Sequence, residues 1–437
     1  MSVSQNPITT AELHGYRAFC QRLSELSLIA ACFFLPWSVA LMNIATLLMA
    51  LCWILSGKCL ELPNILRRSP SAALAIALFL LLAASLVYTT ATFAYGLDIV
   101  SKYRKLLYLP VVLSIVAGAP AVRRRAIDAF LWGCGLLLLV SYGKLAAINL
   151  GALLFDAALI DWDRCSLIYA TIIDRHGFSI VHYITHGFFM ALFIFFLIER
   201  AIGAKSGRWR WALFVVVALA GYNLFYTMPG RTGWGLCLAL IAFICIRRCS
   251  WRWLGAGALV LAALIAITWQ SSSFVALRCQ ELINETEFYQ PGASHTSMGM
   301  RYDWWHNAID LIGQAPWLGN GVGSFPREQA KLVASLNQGT EPSDNPHNEY
   351  LLITEQTGAV GLLLFAALLA VPVIEAKRRG LPADDRRLIE GVALAMALGC
   401  LANSFLFDSQ QGHFFILMMA LLLAADGAGD DEKRIQD

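Results

Sequence analysis

Long apolar runs recur along nearly the whole of this 437-residue chain and constrain its fold more than any other feature. A helix needs about 20 apolar residues to cross a bilayer. Candidate segments lie at 24–38, 40–57, 72–90, 104–119, 124–146, 180–199, 209–227, 231–247, 252–270, 348–375, 384–406 and 412–426. Only 14% of the residues are charged, against about 25% in soluble domains. The sequence therefore predicts an all-α polytopic membrane protein, with about 12 transmembrane helices in a single integral membrane domain over 1–437.

The distribution of basic residues predicts the orientation. With a cytoplasmic N-terminus, 22 of the 33 Lys and Arg fall on one side, as the positive-inside rule requires of the cytoplasmic face. Both termini are then cytoplasmic. Residues 24–57 can also be read as one kinked helix, which would reverse every later loop and require an N-terminus outside. The net charge of +3 is too small to indicate nucleic-acid binding.

The predicted outer face carries two long polar segments, 147–179 and 271–347. A loop as long as the second is usually functional. Its residues 301–315 have apolar positions at helical spacing, with two Trp on one side, which predicts an interfacial helix. A second short helix is expected over 326–337, with Pro near its start. The glycine-rich stretch between them matches neither GK[ST] nor GxGxxG, so a tight connection is favoured over a phosphate cradle.

Two arginines on the predicted outer face are electrostatically unusual. Arg231 occupies a short turn between apolar runs in 225-FYTMPGRTGWGLCLAL-240, and an arginine at membrane depth is a functional hypothesis by default. Arg301 lies at a predicted helix N-terminus, where its charge opposes the helix dipole unless an anion is shared there. Arginine binds phosphate bidentately. The pair predicts a diphosphate site; the alternatives are a snorkelling Arg231 and a salt bridge from Arg301 to Asp303 or to another acid of the loop.

A histidine lies on the same predicted face, in 343-SDNPHNEYLLITEQTG-358. Neighbouring arginines would lower the pKa of His347 and keep it neutral, which suits a base; the alternative is an ordinary helix-start residue. Two arginines and a base at the membrane edge indicate a lipid-linked diphosphate substrate. Candidate supporting residues are Lys102, Arg104, Asn348 and Thr232.

Three rival interpretations follow from other residues. The acidic pair in 161-DWD-163 could hold a divalent cation against a diphosphate, but solvated loop acids are favoured, so neither metal nor cofactor is expected. Cys165 and Cys279 lie in polar segments and would pair only in an oxidising compartment. A lipid or polysaccharide transporter would place ionisable residues near mid-membrane and often shows two similar halves; here the unusual charges lie at one edge.

Several of these segments resemble the O-antigen ligase/polymerase superfamily of membrane glycosyltransferases. The resembling stretches are 300-MRYDWWHNAIDLIGQAPWLGNGVGSF-325, 346-PHNEYLLITEQTGAVGLLLF-365, the TMPGRTGW turn and 403-NSFLFDSQQGHFF-415. The resemblance covers mainly 209–426. It implies a GT-C-like helical fold and a metal-independent enzyme of the bacterial inner membrane, with its active site facing the periplasm.

By the same resemblance, His347 would be the base, and Arg231 and Arg301 would hold the diphosphate of an undecaprenyl-diphosphate-linked glycan donor. The reaction would be an inverting displacement by an acceptor hydroxyl. The superfamily includes O-antigen ligases, repeat-unit polymerases and protein O-oligosaccharyltransferases, the last often with a C-terminal extension. This chain ends about eleven residues after its last predicted span, which favours an O-antigen ligase with a lipid A–core acceptor. Membrane lipids are the other expected partners.

Overall fold

The computed structural model describes residues 10–155, 180–248, 250–292, 295–336, 339–341 and 343–425, and within these ranges the regular structure is entirely helical. The first seven α-helices are α1 (Thr10–Phe34), α2 (Val39–Leu55), α3 (Leu62–Arg68), α4 (Pro70–Ala84), α5 (Phe93–Lys102), α6 (Tyr108–Val116) and α7 (Pro120–Phe155). The next five are α8 (Tyr183–Gly203), α9 (Gly207–Tyr226), α10 (Arg231–Arg248), α11 (Trp251–Ser271) and α12 (Ser273–Glu287). The last five are α13 (Ser297–Gln314), α14 (Phe325–Leu336), α15 (Glu349–Arg378), α16 (Ala383–Ala402) and α17 (Ser409–Leu423).

The prediction of an all-helical, polytopic membrane protein is confirmed, but the count of about twelve spans is not. Each predicted segment contains a helix. In the described residues, however, only five helices are long and apolar enough to cross a membrane. A sixth span results if Val39–Leu55 and Lys58–Arg68, which are bent by 83° relative to each other, form one broken span. The five are Pro70–Val87, Pro120–Ala147, Tyr183–Gly203, Gly207–Tyr226 and Glu349–Arg378. Others are too short: α6 has 9 residues and α17 has 15. At 1.5 Å per residue, 15 residues rise only about 22 Å, less than a hydrocarbon core of about 30 Å.

Residues 24–57 form two helices, so the interpretation as one kinked helix is wrong. The break falls between Phe34 and Val39 and contains Pro36. Ser38 caps α2 by accepting a hydrogen bond from the Leu41 N–H at 3.3 Å. The two helices then pack against each other.

The centre of the bundle is formed by α8 and α17. Every residue of α17 from Gln410 to Leu423 is buried, as expected of a helix that is apolar on all sides. The ring of Phe414 packs against Phe130 and Phe188, with centroids 5.0 and 5.6 Å apart. Because a close-packed core resists deformation, it provides a rigid base for the loops at either end.

The long polar segment 271–347 is partly helical, as expected. It contains α12, α13 and α14, and the last two coincide with the two helices predicted there. The turn between α13 and α14 docks into a break in α15 at Gly358, where φ is 64°. At this break the Ala359 N–H donates to Pro316 O at 2.8 Å, and the Asn320 N–H donates to Glu355 O at 2.8 Å. The loop is thereby anchored directly to a membrane-spanning helix.

Candidate active site

His347 lies immediately before α15 in a conformation fixed by its neighbours. Its φ is 51°, the only positive value among the non-glycine residues described. The Asn345 side-chain oxygen accepts the His347 N–H at 2.8 Å and the Ser404 hydroxyl at 3.0 Å. Asn348 caps α15 by accepting the Leu351 N–H at 3.2 Å, and its amide donates to Leu401 O at 2.9 Å. The backbone around His347 is therefore held from both sides.

The environment of the His347 ring disfavours its charged form. The ring is half-buried against Trp304, with centroids 5.1 Å apart. Burial, and then the nearby charge of Arg301, lower the pKa of His347 to about 4. His182 lowers this pKa further, whereas Asp344 raises it. The imidazole is thus neutral at pH 7 and can accept a proton.

Arg301 is the fifth residue of α13, one turn inside the helix and not at its N-terminus as predicted, and it lies within electrostatic range of Arg231. Burial lowers the pKa of Arg301, and the charge of Arg231 contributes to the same shift. The salt bridge to Asp303 considered above does not form; one Asp303 oxygen accepts hydrogen bonds from the Tyr289 hydroxyl at 2.6 Å and the Gly292 N–H at 2.9 Å. In the part of the chain that the structure describes, no carboxylate lies within ion-pair distance of Arg301.

Arg231 begins α10, and a close helix crossing fixes its position. A Cβ added to Gly233 would lie 2.6 Å from the Cα of Gly187, so only glycine allows α8 and α10 to approach this closely. One terminal nitrogen of Arg231 pairs with Glu285 at 3.3 Å. The other is buried, and none of the described residues provides it with a hydrogen-bond acceptor.

The candidate anion site therefore consists of two half-buried guanidinium groups, of which only Arg231 has an ion-paired carboxylate among the described residues. Glu285 pairs with Arg231, and its charge also raises the pKa of Arg301. Arg301 lowers the pKa of His347, and Arg231 lowers the pKa of Arg301. Arg301 is therefore within electrostatic range of both, although the three residues come from distant parts of the sequence. The net positive charge suits a phosphate group. Glu285 was not singled out from the sequence, because an acid in a polar loop is normally solvated.

The candidate supporting residues occupy different places. Thr232 accepts a hydrogen bond from the Asn403 amide at 3.2 Å, next to Arg231 in the chain. Lys102 and Arg104 line a separate cavity of about 280 Å³, to which none of His347, Arg231 and Arg301 contributes. The other lining residues are Asn43, Lys105, Phe407, Asp408, Ser409 and His413.

The glycine-rich turn is a tight connection, as predicted, and the phosphate-cradle interpretation is wrong. Gly319, Gly321 and Gly323 all have positive φ. The N–H groups that would face a phosphate are already used: Gly321 donates to Gln356 O at 3.0 Å and Gly323 donates to the Gln356 side chain at 2.9 Å.

Two sequence hypotheses cannot be compared with the structure. Asp161, Asp163 and Cys165 lie outside the described residues, so the acidic pair and the pairing of Cys165 with Cys279 stay hypotheses. Among the residues described, no three His, Cys, Asp or Glu side chains come together as metal ligands.

Part of this chain is similar to a known protein family. Residues 215–366 match the family model described as O-antigen ligase, and this range contains Arg231, Arg301 and His347. An uncharacterized protein of Haemophilus influenzae is 31% identical over 81 residues, which are 18% of this chain and 20% of that protein. The chain thus matches about a fifth of the length of this curated relative. Together with the candidate membrane spans, this match indicates a multi-pass membrane protein.

Proposed function

We propose that this chain, whose residues 215–366 are a domain of the O-antigen ligase family, is an O-antigen ligase. It transfers a glycan from undecaprenyl diphosphate to a hydroxyl of the lipid A–core oligosaccharide, on the periplasmic face of the inner membrane. The observation that carries this proposal is the half-buried ring of His347, which packs against Trp304 and lies within electrostatic range of Arg301, which is in turn within range of Arg231; one buried nitrogen of Arg231 has no acceptor among the described residues.

The proposed chemistry is an inverting displacement without a metal. His347 takes the proton of the acceptor hydroxyl as its oxygen attacks the anomeric carbon of the donor sugar. The bond from that carbon to the diphosphate oxygen breaks, and undecaprenyl diphosphate leaves with the bonding electrons. Arg231 and Arg301 stabilise the negative charge that grows on the leaving diphosphate. Their fixed positions favour catalysis, because preorganised charges need no rearrangement as the reaction proceeds.

Reconstitution tests this mechanism directly. The purified chain in nanodiscs would be supplied with an undecaprenyl-diphosphate-linked glycan and with lipid A–core, and product formation followed with and without EDTA. His347→Ala is expected to abolish transfer in a folded protein. His295→Ala is a matched control, because His295 is an exposed histidine of the same polar segment and lies near Glu341. Near-normal transfer by His347→Ala would refute the base assignment, and inhibition by EDTA would refute the metal-free mechanism.

The acceptor is tested by the lipopolysaccharide banding pattern of a deletion strain. Loss of all glycan from lipid A–core, with accumulation of lipid-linked polymer, is expected of a ligase. Core that carries one repeat unit would indicate a repeat-unit polymerase instead. A normal pattern would indicate a protein O-oligosaccharyltransferase or a transporter, and the reconstituted assay separates these two because only the enzyme forms a glycosidic product.

A further inference from the structure

A groove of about 430 Å³ opens beside the candidate active site. Its walls come from the start of α5 and from the glycine-rich turn leading into α14, with Asp344 at one end. The main lining residues are Thr92, Tyr95, Gly323, Arg327 and Asp344. None of His347, Arg231 and Arg301 lines it, and Asp344 is the lining residue nearest to His347 in the chain. The volume is within the range of roughly 300–1,000 Å³ that is usual for small-molecule sites.

Hydrogen bonds make the walls of this groove rigid. The segment before α5 is joined to the glycine-rich turn: the Tyr88 hydroxyl donates to Leu318 O and the Thr89 hydroxyl donates to Val322 O, each at 2.7 Å. A Cβ on Gly321 would lie 2.3 Å from the Cα of Thr89, so these two backbones are in direct contact. The groove is preformed, which reduces the entropy lost when a ligand binds.

The side chains that line the groove suit a sugar better than a second phosphate. Tyr95 contributes an aromatic ring, and its edge packs on Gly323, where a Cβ would lie 3.2 Å from the ring. Asp344 is exposed and offers two oxygens that accept hydrogen bonds from hydroxyls. Arg327 donates to Thr90 O, which fixes its guanidinium at the rim. The opposite charges of Arg327 and Asp344 cancel, whereas the site of Arg231 and Arg301 has a net positive charge.

Asp344 connects the groove to the proposed base. It precedes His347 by three residues, and its charge acts on both His347 and Tyr95, raising the pKa of each. Burial is the larger cause of the raised pKa of Tyr95, and Asp344 is the next. Arg301, in contrast to Asp344, lowers the pKa of His347. The pKa of His347 therefore depends on the positive charge of Arg301 and on the negative charge of Asp344 in the groove.

We propose that this groove binds the sugar of the acceptor, a hydroxyl-rich carbohydrate, and that Asp344 orients the attacking hydroxyl toward His347. Tyr95 packs its ring against the sugar, and Asp344 accepts hydrogen bonds without taking the proton. This inference rests on the proposed function, because it names the acceptor side of the same reaction. It divides the enzyme into an anion site for the donor and a neutral groove for the acceptor.

Equilibrium binding and steady-state kinetics test the groove separately. Lipid A–core without O-antigen is the probe, titrated against the inactive His347→Ala protein with and without Tyr95→Ala or Asp344→Asn. Each second substitution is expected to weaken binding about tenfold, whereas Tyr95→Phe keeps the ring and stays within about twofold. Leu97→Ala is the control on α5, since Leu97 is exposed and does not line the groove.

In the active protein, Tyr95→Ala and Asp344→Asn should raise the KM for lipid A–core about tenfold and leave the KM for the lipid-linked donor unchanged. A raised donor KM would assign the groove to the donor glycan and overturn the inference. Unchanged binding and unchanged KM values in folded Asp344→Asn would also overturn it. If the wild-type chain transfers no glycan, the proposed function fails. The binding titration then decides the groove independently, and lipid A–core that does not bind overturns it too.

Discussion

Neutralising the carboxylate beside Arg231 should improve donor binding. Glu285 lies 3.3 Å from one guanidinium nitrogen of Arg231 and accepts the Met298 N–H at 3.2 Å through the same oxygen. A diphosphate that binds Arg231 must approach this negative charge. Glu285→Gln removes the charge but keeps an oxygen that can accept both hydrogen bonds, so the local geometry is retained.

The size of the effect follows from Coulomb's law. Two unit negative charges roughly 6 Å apart repel by about 0.7 kcal/mol in bulk water and about 3 kcal/mol at an effective dielectric constant of 20. This range corresponds to a factor of about 3 to 100 in affinity. The expected result for Glu285→Gln is therefore a donor KM about tenfold lower than that of the wild type, with an unchanged KM for the acceptor.

The assay is the initial rate of glycan transfer against donor concentration, at saturating lipid A–core. Glu281→Gln is the matched control, because Glu281 lies one turn earlier on α12 and pairs with Arg278 at 2.6 Å. The difference between the two variants should shrink in high salt, since partly exposed charges are screened. If Glu285→Gln is folded and its donor KM is unchanged or higher, Arg231 does not hold the diphosphate and its pairing with Glu285 is structural.

Three further predictions concern His347 and the scaffold. The neutral form of His347 is the proposed base, and its pKa is about 4. The transfer rate should therefore be constant from pH 6 to 8 and fall as the pH drops through about 4. A pH–rate profile with its acid limb near 6.5 would contradict the lowered pKa of the base. Glu375→Ala should lower the free energy of unfolding by about 3 kcal/mol, because one Glu375 oxygen accepts the Ser71 hydroxyl at 2.6 Å and the Ser71 N–H at 3.0 Å. An unchanged thermal midpoint would show that these hydrogen bonds do not stabilise the fold. Gly358→Ala should prevent recovery of folded protein, since its Cβ would lie 2.1 Å from a docked backbone carbon, whereas Gly135→Ala meets nothing within 4 Å and should be neutral.

Helix positions could be predicted from the sequence because each one depends on a local pattern. Apolar length located a helix in all twelve segments, and within the polar loop apolar spacing located α13 and a proline near the helix start located α14. The predicted number of membrane-crossing helices was not confirmed, because the same apolarity is needed by a short helix buried inside the bundle. Helix α17 is the clearest case: its burial is almost complete, yet it has only 15 residues.

Residues of the candidate site could be predicted from the sequence only where the residue type alone was unusual for its position. Arg231 was conspicuous because a charge between two apolar runs is costly. Its partner Glu285 lies 54 residues further along the chain, and no local pattern relates the two. Asp344 and Tyr95 were missed for the same reason: each is ordinary in its own segment, and only the folded loop brings both beside one groove.

The position of His347 at the start of α15 is explained by the contacts of the residues that follow it. The buried Glu349 accepts the Tyr103 hydroxyl at 3.0 Å through one oxygen and the Phe407 N–H at 2.9 Å through the other. Together with the Asn348 bond to Leu401, this ties the first turn of the helix to two other parts of the bundle. A positive φ costs a non-glycine residue about 1–2 kcal/mol, and these contacts offset it. A histidine further inside the helix would lie among lipid-facing or buried side chains. A histidine before the helix, in the preceding loop, would lack the hydrogen bonds that hold the first turn. At the start of the helix a base can therefore be both accessible and fixed.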